Sequence, residues 1–270
     1  MNAVMGNNMR NDYAVLNEQH LERKARISSM MRLDFYRLTH TPLLFIMTVI
    51  SAIIPAMVLT MTSANEAADA QSFTNVWQVI EMVSGGNAGM GMMDMAMLCN
   101  INMVYIFAAI FVSIFVSHDY SSGFIKNIFT VHSKKHDYVI SKSIAGFFGG
   151  CCMILAYLIG AIIAGMISGL SFDPGAASVF SIGLCILSKM ALMGVFVPLY
   201  LMVAVFFRQR LWLTIVGAFF LGIMFYPVAM MSAPLNAGML NLLMSIAGGV
   251  MLGTGFEMAS GFILRHRDLT

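Results

Sequence analysis

SHDYSSGFIKNIFTVHSKKHDY, residues 117–138, interrupts an otherwise apolar chain. Long apolar runs stand on both sides of it, and it gathers His118, Lys126, His132, Lys134, Lys135 and His136 in one place. At its centre Phe124, Ile125, Ile128 and Phe129 have the spacing of one helical face. The stretch predicts a short amphipathic helix outside the membrane, held between two segments that cross it.

Composition agrees with that reading. The 270 residues are 59% apolar and 10% charged, with mean hydropathy +0.81, whereas soluble domains carry about 25% charged residues. A net charge of +2 gives no footing for nucleic acid. Residues 1–26 are polar and lack the apolar core of a cleavable signal. A bilayer core about 30 Å thick needs about 20 apolar helical residues. Six runs meet that need: residues 42–61, 95–116, 139–167, 179–207, 211–231 and 240–264. The expected fold class is an all-α membrane protein with six transmembrane helices. A polar tail spans residues 1–26, an amphipathic interface helix 27–41, and the six-helix domain 42–264. That domain contains the region 118–138, and residues 265–270 form a second tail.

Charge sets the orientation. Arg10, Arg23, Lys24, Arg26, Arg32 and Arg37 precede the first run; Lys126, Lys134, Lys135 and Lys142 lie in or just after the opening stretch. Arg208 and Arg210 join the fourth and fifth runs, and Arg265 and Arg267 end the chain. The alternate loops carry Glu66, Asp69, Glu81, Asp94 and Asp173. Basic residues stay on the cytoplasmic side, so both termini are expected inside a multi-pass cell-membrane protein, of the bacterial plasma-membrane kind.

In ISSMMRLDFYRLTHTP, residues 27–42, Ile27, Met31, Phe35 and Leu38 share a helical face while Arg32, Asp34 and Arg37 lie elsewhere. A helix in the membrane interface fits that pattern, with Pro42 turning the chain into the bilayer. In the third run Gly146 and Gly150, then Ala156, Gly160 and Ala164, and Ala161, Gly165 and Gly169 recur at four-residue spacing. Small residues in such rows let helix backbones approach, which argues for a packed bundle.

Cys99, Cys151, Cys152 and Cys185 all fall in apolar runs and read as packing residues. The Met-rich stretch GGNAGMGMMDMAM raises a soft-metal site. The 27 methionines are spread along the whole chain, however, and no neighbouring His or Cys supports a metal, so none is expected. Flexible thioethers equally suit an apolar ligand or lipid-facing packing. Ionisable residues inside spans point to an interior or cavity. Lys189 and Glu257 are such residues, and with Asp94 they form a candidate cavity or gate. Counting 1.5 Å per residue from the basic ends, Glu257 stands about 12 Å in, Lys189 about 28 Å and Asp94 about 35 Å. Lys189 and Asp94 are therefore an expected outer pair, with snorkelling to the headgroups as the other reading of Lys189.

HDYSSGFIKNIFTVHSKKHDYVISK resembles the coupling region of ATP-binding-cassette exporter permeases of the ABC-2 type. The matching positions are Asp119, Gly123, Lys126, Ile128 with Phe129, Lys134 or Lys135, and Lys142. That family usually has Glu where Asp119 stands and often Pro where Ser133 stands. MRLDFYRLTHTPLLF is similar to the family's N-terminal interface helix, and RHRDL to its basic tail. The resemblance implies that Asp119, Gly123, Phe124, Ile125, Lys126, Ile128, Phe129, Met31 and Phe35 couple the chain to a separate ABC ATPase subunit, present in two copies. It also implies a second permease chain, identical or different. No GxxxxGK[ST] phosphate loop occurs here. The chain is thus expected to be a transport subunit, not an enzyme, with no cofactor of its own and with ATP and Mg on the partner. The cargo implied is an amphipathic or antimicrobial peptide moved outward; a hydrophobic drug or lipid is the alternative. An ATP-independent secondary transporter or channel would show inverted repeats and several mid-membrane charges, and neither is evident.

Overall fold

Helices account for nearly all of the described residues, which in this computed structural model are 24–64, 75–80, 100–130, 135–173, 178–208, 210–232 and 234–266. The first helix, α1, covers residues 24–40. Thr41 closes it by giving both its N–H and its hydroxyl to the Arg37 carbonyl. Pro42 then opens α2 (Pro42–Ala64) at a position where its missing N–H costs nothing. A single turn, α3 (Trp77–Ile80), follows. It is tied to the link beyond α6 by Val76 N–H to the Ser171 carbonyl at 3.1 Å and by Trp77 Nε1–H to the Phe172 carbonyl at 3.0 Å.

α4 (Met103–Ser121) runs further into the polar stretch than the expected boundary at residue 116. Residues 95–99, expected as the start of this span, lie outside the described residues, as do the tails 1–23 and 267–270. Gly123 takes φ 70°, a conformation that glycine reaches without strain, and turns the chain into α5 (Phe124–Thr130). α6 (Lys135–Ile167) ends in a Schellman turn: Leu170 N–H reaches the Gly165 carbonyl, Gly169 N–H reaches that of Met166, and Gly169 has φ 67°. Gly169 is thus a helix terminator and not the packing residue its spacing suggested.

α7 (Val179–Phe207) matches the expected fourth span and is capped by Ser178, whose hydroxyl accepts from Ser181 N–H. α8 (Leu211–Ser232) and α9 (Met239–His266) complete the chain. Among the described residues α2, α4, α6, α7 and α9 are long and apolar enough to cross a membrane, while α8 is a shorter apolar helix over Leu211–Phe225. Over its full length α8 has 22 residues and coincides with the expected fifth run, residues 211–231.

α4 and α7 are the most buried and pack on each other, with α2, α6, α8 and α9 around them. Lipid tails are as apolar as Leu, so helices here associate through close packing rather than the hydrophobic effect. Gly160 of α6 sits against the Ala52 carbonyl of α2, Gly146 against Val197, and Gly150 against Met193. α9 crosses α7 where Gly253 meets the Gly194 carbonyl and Gly249 that of Ala191. Phe45, Trp212, Phe220, Leu240, Met251 and Met258 project outward as an apolar belt.

Candidate functional site

Four charged side chains converge where α1, α4 and α6 meet beside α5. Asp119 belongs to the last turn of α4 and is fully buried. Lys142, in the second turn of α6, puts its Nζ 2.7 Å from Asp119 Oδ2 and 2.7 Å from Asp34 Oδ1 of α1. Arg37, one turn beyond Asp34, puts Nη1 2.7 Å from Asp119 Oδ1. Two cations thus meet two carboxylates, and the cluster is neutral. Tyr138 O–H donates to Asp119 Oδ2 at 3.0 Å, and Ser141 O–H to Asp34 Oδ2 at 2.5 Å. Lys142 Nζ also lies 4.0 Å from the centre of the Phe115 ring. A second pair, Arg26 with Asp137 at 3.2 Å, joins α1 to the first turn of α6. Burying charge is costly unless it is paired, so this arrangement holds the three helices in one register.

The same cluster grips α5. Arg37 stacks over the Phe124 ring at 4.1 Å and donates to His118 Nδ1 at 3.3 Å. Phe129 meets Tyr138 edge-on at 5.9 Å, and Ile125 is 2% exposed. Phe35 of α1 packs edge-on against Phe148 at 5.3 Å, and Met31 is half-buried.

These positions change the sequence reading of the helix. Its apolar face is turned toward the chain's own core: Ile125 is buried, Ile128 and Phe129 pack half-buried against that core, and Phe124 is half-buried under Arg37. Asp119 and Ile125 are too buried to touch another subunit. The exposed side offers Ser121, Ser122, Asn127 and Thr130. Gly123 is the hinge before the helix, and Lys126 lies on it.

Asp34 is what the sequence reading missed, together with the buried pairing of Lys142, a residue it named only as a matching position of the resemblance. Asp34 was assigned to the polar side of α1, yet it is 3% exposed, between Met30 and Leu38 on the inward face. The signal was its i+3 and i−4 spacing to Met31 and Leu38. For Lys142 it was a lone lysine inside an apolar run.

The intramembrane residues separate into two places. Lys189 is buried; its Nζ donates to Asn102 Oδ1 at 3.0 Å, and Tyr105 O–H donates to the Lys189 carbonyl at 2.8 Å. Burial at this contact replaces the snorkelling reading. Asp94, its expected partner, lies outside the described residues. Glu257 of α9 is half-buried, on a helix that packs against α6 and α7. α7 and α9 run parallel, with Gly249 by Ala191 and Gly253 by Gly194. Glu257 and Lys189 are therefore separated by roughly 15 Å along the bundle.

Comparison with known proteins gives one family: the model described as ABC-2 family transporter protein matches residues 31–225. That range takes in the Asp34–Arg37–Asp119–Lys142 cluster, α5 and Lys189, and stops short of Glu257. Neither a curated protein nor a solved structure matches the chain.

Proposed function

The chain belongs to the ABC-2 family of transporter proteins, and from that premise we propose that it is the permease of an ATP-driven exporter whose coupling helix is α5. Membership makes it a multi-pass membrane transport subunit of a class that associates with an ABC ATPase and dimerises. In the proposed assembly two ATPase subunits carry ATP and Mg, and two permease chains enclose the path. Both chain ends and α5 face the cytoplasm, the side on which Lys and Arg concentrate.

One observation carries the reading: α5 stands between two membrane helices and is fixed to α1, α4 and α6 through the Arg37–Asp119–Lys142 cluster. A push on the exposed side of α5 would reach those helices through packed rings and ion pairs, without slack. Asp119, Phe124, Ile125, Ile128 and Phe129 act as the internal mount of the lever, while Asn127 and Thr130 meet the ATPase. The cargo proposed is an amphipathic peptide, supported by an apolar, methionine-rich chain suited to adaptable apolar contacts.

Asn127→Glu tests the coupling step, since it alters the outer side of α5 and leaves the buried face alone. Loss of ATPase co-purification, with an unchanged melting temperature of the permease, is the expected result. Co-purification at wild-type yield with cargo-stimulated ATP hydrolysis intact refutes it.

A further inference from the structure

The two ends of α6 are tied to their neighbours by different chemistry. Near its start Lys142 is held in buried ion pairs, which water cannot replace without entering the core. At the opposite end the partner is the segment 75–80. Val76 and Ile80 are 0% and 1% exposed, and at four-residue spacing they fall on one side of the turn. Ile80 joins the apolar core, and the Val76 side chain occupies the notch where Gly165 of α6 lacks a Cβ. Asn75 pairs with Ser171 in a single parallel bridge. Three successive carbonyls of the link beyond α6 accept from this segment: Ser171 from Val76 N–H at 3.1 Å, Phe172 from Trp77 Nε1–H at 3.0 Å, and Asp173 from the Asn75 amide. The last two bonds are exposed, so water can take either partner's place when the segment leaves. Between its ends α6 is one helix of 33 residues with no proline. Gly165 stands about 35 Å from Lys142 at 1.5 Å per residue. A helix unbroken over that length turns a tilt at the charge cluster into a displacement of the Gly165 notch.

We propose that residues 75–80 are a releasable strap that closes the outer end of the bundle. It is docked on the Gly165 notch and the carbonyls of 171–173 when the exit is shut, and it lifts when α6 moves. Val76 and Ile80 supply the closing force, and the three hydrogen bonds fix where the strap lands. Trp77, half-buried beside them, marks whether it is down. The strap's place in a transport cycle rests on the reading of the chain as an ATP-driven permease; its docking and release do not.

Trp77 and Trp212 are the two tryptophans of the chain, and Trp212 projects outward at 79% exposure. Trp212→Phe therefore leaves Trp77 as the sole reporter in the full-length permease, held in detergent micelles. Along one heating ramp, iodide quenching of Trp77 reads the strap and circular dichroism reads the helices. Trp77 is expected to open to iodide, with a red shift of its emission, at temperatures that leave the helices intact. Gly165→Val, which fills the notch, should open it before heating. Asn75→Cys with Ser171→Cys, joined as a disulfide across the bridge, should hold it down until the helices melt. Opening that coincides with helix loss in the unlocked protein overturns the proposal, as does equal iodide access with Gly165 and with Gly165→Val. In the complex with its ATPase, the disulfide is expected to stop ATP hydrolysis and dithiothreitol to restore it. An unchanged rate with the disulfide formed sinks the strap's role and leaves the permease reading standing. A permease that captures no ATPase defeats the coupling reading, and the heating ramp alone then decides the strap.

Discussion

Replacing Lys142 by Met removes one cation from a buried group of four charges. Its side chain is fully enclosed, and so is that of Asp119; the Asp34 side chain is nearly so. Arg37 still neutralises Asp119, but Asp34 keeps only the Ser141 hydroxyl. Breaking a buried pair by deleting one partner costs about 3–5 kcal/mol, because a desolvated charge is left behind. In a chain of this size that corresponds to a fall of roughly 6–20 °C in melting temperature. The cluster also predicts how the loss is repaired. Asp34→Asn added to Lys142→Met leaves Arg37 and Asp119 as a matched pair and restores neutrality. The double variant should therefore melt above the Lys142→Met single, with a coupling of about 1–3 kcal/mol. A thiol-reactive dye reports the transition, since Cys151, Cys152 and Cys185 sit in crossing helices and are buried or half-buried. A Lys142→Met protein melting within about 2 °C of wild type, or a double variant melting below the single, would refute the view that this cluster binds the three helices together.

Gly160→Val places a side chain onto the Ala52 backbone carbonyl; the α2–α6 contact should open, with a stability loss of about 1–3 kcal/mol and a poorer folded yield in size-exclusion chromatography. Lys189→Leu and Asn102→Ala should each lower the melting temperature, and the double variant should lose clearly less than the two losses added; strict additivity would show that their 3.0 Å contact is idle. Cysteines introduced near residues 10 and 268 should resist impermeant thiol reagents in intact cells while one at residue 69 reacts, and the opposite pattern would reverse the charge-based orientation.

Much of the architecture was legible because it depends on quantities local to the chain. Length and apolarity of a run decide whether it can cross a bilayer, so α7 was read to the residue and α2, α6 and α9 nearly so. The break at Pro42 and the close-packed glycines at 146, 150 and 160 were readable for the same reason: a missing N–H or a missing Cβ has one consequence in any helix. The family followed from motif order around residues 117–142, which the match over residues 31–225 bears out.

Partnership between charges was not legible, because it depends on which helices meet. Counted along the chain, Asp34, Arg37, Asp119 and Lys142 are scattered residues, and the positive-inside rule treats two of them as surface charge. Only the packing of α1, α4 and α6 brings their heads within 2.7 Å and makes burial affordable. The apolar face of α5 shows the same limit: periodicity correctly identified the face but could not say whether a partner or the chain's own core would cover it. The tertiary structure decided for the core, because Arg37, Tyr138 and the end of α4 already stand where that face lands. Glu257 is the converse case: the sequence placed a carboxylate in a span, and among the described residues the packing of α9 brings it no Lys or Arg of the kind that Asp34, Asp119 and Asp137 acquired.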